Sequence, residues 1–375
     1  MSIAVSLPVA TPARPILRAE SQSLGFSVQL QSLRGLAALM VLIGHCLGVL
    51  APSGPVQRLA SALCNGQGAV AFFFVLSGLV LALQWSKLQR HRRPIYAYAI
   101  RRGFRLYPML IVAVLLGTLY CNYIHRPGDV PGATTWFDSF YSEPISFNRF
   151  LLALTGASAK PAAPLWSILV EIIGSAAVPV LVLCSISWRA KWLIVAVLLT
   201  LSFFAWGRTH YNWGLYLIDF YAGVSVLWWG PKWARLFGQM GQMTHALILF
   251  STFTIFIGAR SSLSEGHWAA VINLFETICA MLIVSVVYHR VWNPRVLSLR
   301  PIVKLGDISY SFYLLHFPIV YFLAGALSGN LANVSRLCWS FELAVAATLL
   351  TAVVASVAYR YIEVPAIGVG KWLVR

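Results

Sequence analysis

Apolar residues run through this chain in long unbroken blocks rather than in alternation. Ten blocks can be marked, near 33–51, 68–86, 105–122, 165–185, 192–207, 212–230, 243–259, 268–288, 305–325 and 338–359. Most are about 18–22 residues long, enough for a helix to cross a hydrocarbon core of about 30 Å. A backbone in lipid must satisfy its own hydrogen bonds, which makes such blocks helices. A β-barrel would instead show alternating segments of about ten residues. The pattern therefore predicts an all-α integral membrane protein with about ten transmembrane helices. The fourth and fifth blocks are separated by a short gap and should form a tight helical hairpin. The first 30 residues hold Pro8, Pro12 and Pro15 without a long apolar run. They read as a flexible tail rather than a cleaved signal peptide. Residues 31–366 then form the membrane domain, 123–164 its one long extracytoplasmic loop, and 367–375 a short C-terminal tail.

Composition agrees. Hydrophobic residues make up 59% of the 375 and charged residues 10%, against about 25% charged in ordinary soluble domains. Charge then orients the helices. With the N-terminus in the cytoplasm and ten alternating spans, 21 of the 28 Lys and Arg residues fall inside and 7 outside. That asymmetry places both termini in the cytoplasm. It also accounts for the net charge of +17 through basic residues facing anionic lipid. Because the charge is spread over every inner loop, nucleic acid is not expected as a partner. The six cysteines show no metal-binding spacing, and no metal site is expected.

Ionisable side chains within apolar blocks are costly and therefore mark function or internal pairing. Here they are Arg34, His45, Glu171, Asp219, Glu276, Asp307, His316 and Glu342, with Glu363 at the end of the last span. Arg34 and His45 are eleven residues apart, which is three helical turns plus about 20°. Both leave one helix face, about 16 Å apart along the axis. An imidazole at that depth can accept a proton near neutral pH. Arg101, Arg102 and Arg105 stand at the expected start of the third helix, where guanidinium forks and free backbone N–H groups suit an anion. Arg101 and Arg105 should share a face. Glu171 and His45 each lie about six residues from the outer end of their blocks. They should share a depth and meet, the carboxylate fixing the imidazole tautomer. Tyr310, Tyr313 and His316, at i, i+3 and i+6, form one polar stripe on an apolar helix. Ser77 and Gly78 permit close helix approach, and Pro365 should end the last helix. Each of these features also has a bland reading, as packing, interhelical hydrogen bonding or lipid anchoring.

Taken together in order, they resemble the membrane-bound acyltransferase family 3, bacterial O-acyltransferases of surface glycans. The resemblance runs from about residue 30 to 366. It rests on Arg34 with His45, the block from Phe72 to Ser77-Gly78, and the block Arg101-Arg102 to Arg105, Tyr107 and Pro108. It rests further on Leu165-Trp166-Ser167 with Glu171, on Gly306 to Pro318, and on Tyr361, Glu363 and Pro365. Val364 departs from the basic residue often found between that Glu and Pro.

The resemblance implies a multi-pass protein of the bacterial cytoplasmic membrane that transfers an acyl group, acetyl by family analogy. The donor would be cytoplasmic acyl-CoA, with no permanently bound cofactor, and the acceptor a hydroxyl of a glycan or lipid-linked saccharide. Arg101, Arg102 and Arg105 would bind the acyl-CoA. Arg34, His45 and Glu171 would be catalytic, with His45 as general base. Tyr310, Tyr313 and His316 would serve the oxyanion or the acceptor. The other reading of intramembrane charges is a transporter of an acylated glycan or a small anion, although no repeated halves are visible.

Overall fold

The computed structural model describes residues 28–51, 54–126, 128–205, 213–262 and 268–375. The N-terminal stretch expected as a flexible tail lies, up to residue 27, outside the described residues. The elements in chain order are α1 (Val28–Leu47), α2 (Pro55–Leu63), α3 (Gly66–Leu88), α4 (Pro94–Leu119), α5 (Thr135–Phe140) and α6 (Phe147–Leu154). They continue with α7 (Trp166–Cys184), α8 (Trp188–Ala205), α9 (Trp213–Gly238), α10 (Gln242–Ser262) and α11 (Ala269–Tyr288). The last are α12 (Arg300–Asp307), α13 (Ser309–Leu327), α14 (Arg336–Ala358) and α15 (Val364–Trp372). Ten of these have 18 residues or more, one in each apolar block. Among the described residues, eight membrane-length segments are long and apolar enough to cross a bilayer. The protein is an α-helical, multi-pass membrane protein.

Local chemistry sets several helix ends. Asn65 caps α3 by accepting from Gly68 N at 2.8 Å, and Ser335 caps α14 by accepting from Cys338 N at 3.2 Å; each satisfies an otherwise orphaned donor. Pro94 opens α4, where its missing N–H costs nothing. Consequently α4 begins seven residues before Arg101, a correction to the expectation that the arginines stand at a helix start. Their neighbouring N–H groups are used inside the helix. Pro365 does not end the last helix either. A π-turn over Tyr359–Glu363 lets the chain continue into α15, with Pro365 in its first turn. The expected C-terminal tail is therefore largely helical, and Gly370 packs on the Phe104 ring.

Polarity is inverted relative to a soluble globule. Large apolar side chains such as Leu193, Phe203, Phe250, Phe341, Leu349 and Val353 point outward, as a lipid environment allows. The centre is α3, packed against α9, α1, α11 and α7. Its closest approach to α9 is reciprocal. A Cβ on Gly78 would collide with the Phe220 backbone, and one on Gly223 with the Val75 backbone. Small residues at this crossing let two backbones meet and gain dispersion contacts, since lipid supplies no hydrophobic drive between helices. The fourth and fifth apolar blocks join through residues 185–187, but α8 packs mainly on α9 rather than α7.

Candidate active site

Two polar centres lie along α1, one at each end of its Arg34–His45 face. The lower one surrounds Arg34. A glycine crossing holds this part of α1 in place: a Cβ on Gly35 would lie 2.6 Å from Gly306 N, and one on Gly306 would strike the Gln31 backbone. Ser32 adds a 2.6 Å hydrogen bond from its Oγ to the Leu297 carbonyl. Arg34 thereby faces a cavity of about 120 Å³. Arg34, Arg102, Arg105 and Glu171 supply its charges; Phe73, Ser77, Ser167, Tyr310 and Tyr313 are among its walls.

Each of the other two arginines is clamped. Arg102 pairs with Glu171, and its Nε and Nη2 donate to Ser175 Oγ at 3.1 and 2.7 Å. Ser175 in turn donates to the Glu171 carbonyl at 2.6 Å. Arg105 pairs with the buried Glu363, which also accepts from Ser311 Oγ at 2.5 Å. Its guanidinium sits 5.1 Å from the centroid of the Tyr310 ring. Arg34 forms no hydrogen bond or ion pair among the described residues, so its guanidinium remains available to the cavity. With Arg102 paired to Glu171 and Arg105 to Glu363, the chamber keeps one uncompensated guanidinium, that of Arg34, which suits an anionic group.

Two sequence expectations are corrected here. Arg101 does not line the cavity, and its Nε finds no partner among the described residues. The face that reaches the cavity carries Arg102 and Arg105, three residues apart, not Arg101 and Arg105. The Glu171 carboxylate pairs with Arg102 at the cavity and not with His45. Ser167, four residues earlier on α7, is the one that meets the polar stripe of α13.

That stripe forms as expected, and its three members reach three different elements. Tyr310 OH donates to the Leu106 carbonyl at 2.8 Å, and Tyr313 OH lies 2.9 Å from Ser167 Oγ. Ser167 spends its own proton on the Pro164 carbonyl at 2.8 Å, so Tyr313 is the donor of that pair. His316 reaches His45. The protons expected to be offered to an oxyanion by these three residues are thus already committed in this structure.

The upper centre is the histidine pair. His316 Nδ1 lies 2.7 Å from the Tyr313 carbonyl, and His45 Nδ1 lies 2.8 Å from His316 Nε2. A carbonyl only accepts, so a neutral His316 carries its proton on Nδ1. Its Nε2 must then accept, and His45 Nδ1 donates. A neutral His45 is left with its lone pair on Nε2. The rings are 13° from coplanar with centroids 5.0 Å apart, as an in-plane N–H···N bond requires. Phe317 stands edge-on to His45 at 5.2 Å, and Trp136 lies 5.5 Å away at 28°. Between the two centres stand Tyr313 and Phe73, with ring centroids 5.6 Å apart. Both rings line the cavity, and His45 is not among its lining residues.

Ser175 and Trp136 were missed by reasoning from sequence. Ser175 resembles any small helix-packing residue, and Trp136 lies in a loop with no periodicity to mark it. Asp219 and Glu276, both fully buried, belong elsewhere. Asp219 accepts from Asn273 at 3.0 Å and Thr277 at 2.6 Å, and Glu276 accepts from Asn65 at 2.7 Å. Among the described residues no group of His, Cys, Asp and Glu is arranged to hold a metal, and the six cysteines are free.

Comparison with known proteins gives the geometry a lineage. A family model described as an acyltransferase domain matches residues 28–361. The peptidoglycan O-acetyltransferase OatA of Listeria monocytogenes is 24% identical over 335 residues, covering 79% of this chain and 50% of that one. The chain thus spans about half the length of this curated relative. No solved structure matches. The family match runs from the start of α1 to Tyr361, two residues short of Glu363, and takes in Arg34, Arg102, Arg105, Glu171 and the histidine pair; on that ground the chain belongs to the membrane-bound acyltransferase family 3.

Proposed function

We propose that this protein transfers an acyl group, acetyl by analogy with its relative, from cytoplasmic acyl-CoA to a hydroxyl of a cell-surface glycan. His45 is the general base. The observation that carries this reading is the tautomer chain from the Tyr313 carbonyl through His316 to His45. It leaves a basic Nε2 at the end of α1 opposite Arg34, and a hydroxyl proton needs such an acceptor as its oxygen attacks a thioester. His316, not Glu171, is the positioning residue for that base.

The lower chamber suits the donor. Arg34, Arg102 and Arg105 meet the anionic part of acyl-CoA, and the apolar walls from Phe73, Phe74, Leu76 and Leu81 suit the pantetheine arm. That arm spans on the order of 14 Å, close to the roughly 16 Å rise from Arg34 to His45. Tyr313 and Phe73 must turn aside for the thioester to reach the imidazole. The acceptor oxygen then bonds to the acyl carbon, the carbon–sulfur bond breaks, and the thiolate leaves with CoA. The excess of Lys and Arg in the expected inner loops supports a bacterial cytoplasmic membrane location with both termini in the cytoplasm.

Acetyl transfer by membranes carrying the full chain, with radiolabelled acetyl-CoA and a peptidoglycan fragment as acceptor, tests the reading. His45→Ala should abolish transfer while the variant elutes as a folded protein. A folded His45→Ala protein with near wild-type transfer would remove His45 from the reaction.

A further inference from the structure

Trp136 is 39% exposed although its ring lies against the candidate base, and it has no task in the transfer chemistry above. Its position is firmly built. Thr134 caps α5, donates its hydroxyl to the Gly48 carbonyl at 2.8 Å, and donates its backbone N–H to the Val49 carbonyl at 2.8 Å. The loop is thus stapled to the residues just after α1, three and four positions from His45, and a β-bridge between Leu50 and Ala133 extends the staple. One residue further, Phe137 stacks on Tyr321 with centroids 3.7 Å apart and 8° between planes, and Tyr321 OH donates to the Phe137 carbonyl. Tyr141 donates to the Pro161 carbonyl at 2.6 Å from beneath the same helix. Trp136 is therefore a partly open aromatic surface on a fixed support, 28° from parallel with the His45 ring at 5.5 Å. An indole packed only to hold an imidazole would be covered.

Resting on the acyl-transfer reading, we propose that Trp136 is the binding platform for a sugar ring of the acceptor. A pyranose has an apolar C–H face that fits an aromatic face, while its hydroxyls radiate from the rim. A sugar held against the exposed part of Trp136, beyond the area the His45 ring covers, lies next to the imidazole that is to take its hydroxyl proton. The acceptor thus enters from the loop side, opposite the arginine chamber, and the two substrates approach the Tyr313–Phe73 partition from its two sides.

Two measurements on the purified full chain in lipid test this, with a soluble peptidoglycan fragment as the probe. Its direct titration without donor should give a Kd about tenfold weaker for Trp136→Ala than for wild type, or about 1.4 kcal/mol. Trp136→Phe should bind in between, since it keeps a smaller aromatic face. In the transfer assay the loss from Trp136→Ala should fall on the acceptor KM more than on kcat. A fall in kcat at unchanged acceptor KM and Kd would mean that the indole only packs the imidazole, and would overturn the platform. Unchanged values throughout would make Trp136 an interfacial anchor and overturn it equally. Wild-type binding of the fragment that weakens on Trp136→Ala, without acetyl transfer, would uphold the platform and sink the acyl-transfer reading.

Discussion

Substitution of His316 tests the arrangement of the base most directly. His316→Ala removes the acceptor 2.8 Å from His45 Nδ1 and leaves that N–H unpartnered in a site closed by Phe317 and Tyr313. Losing such a buried hydrogen bond costs about 1–3 kcal/mol. The imidazole also becomes free to carry its proton on Nε2, where it no longer serves as a base. At about 1.4 kcal/mol per tenfold in rate, the expected fall in kcat is about five- to 150-fold. The donor KM should stay close to wild type, because the arginine chamber lies beyond the Tyr313–Phe73 partition. His316→Gln is the discriminating variant. Its amide oxygen can accept from His45 Nδ1, and it should recover most of what alanine loses. The assay is initial-rate acetyl transfer in membranes, normalised to folded protein. Wild-type kcat in His316→Ala would refute the reasoning, and so would His316→Gln falling as far as His316→Ala.

Two further outcomes follow from the pairing of charges. Glu363→Ala strands Arg105 and Ser311, so it should destabilise the protein by about 2–4 kcal/mol and raise the donor KM. Thermal unfolding in detergent should show that Glu363→Ala/Arg105→Ala recovers part of the stability but not the donor affinity; full additivity of the two losses would contradict a shared pair. In the loop that follows α4, burial among Tyr120, Tyr141 and Tyr321 holds the His125 imidazole below its usual pKa, with Asp129 and Asp138 opposing. The folded form therefore favours the neutral ring. Its contribution is fully present above the ordinary histidine pKa of about 6.5 and is lost as pH falls from there through the depressed folded value. Melting curves at pH 7.5 and 5.5 should show a drop in wild type that is smaller in His125→Phe, and equal drops would refute the assignment.

The sequence by itself determined the helices, because a span of apolar residues in lipid has one way to satisfy its backbone. It also placed Arg34 and His45 on one face, since helical periodicity is local arithmetic, and it put Tyr310, Tyr313 and His316 on another. What it did not determine was who meets whom. Glu171 and His45 are matched in depth by counting residues, yet Glu171 pairs with Arg102 and His45 pairs with His316. Depth fixes one coordinate, whereas the rotation of α7 against α4 and of α1 against α13 fixes the contact. Such contacts depend on how the whole bundle packs, including the close crossings of α1 with α12 at Gly35 and Gly306 and of α3 with α9 at Gly78 and Gly223, which local sequence does not specify. Likewise Pro365 continues into a helix because a preceding π-turn accommodates it. Trp136 acquires its place from the Thr134 staple to α1, a long-range contact that no local pattern encodes.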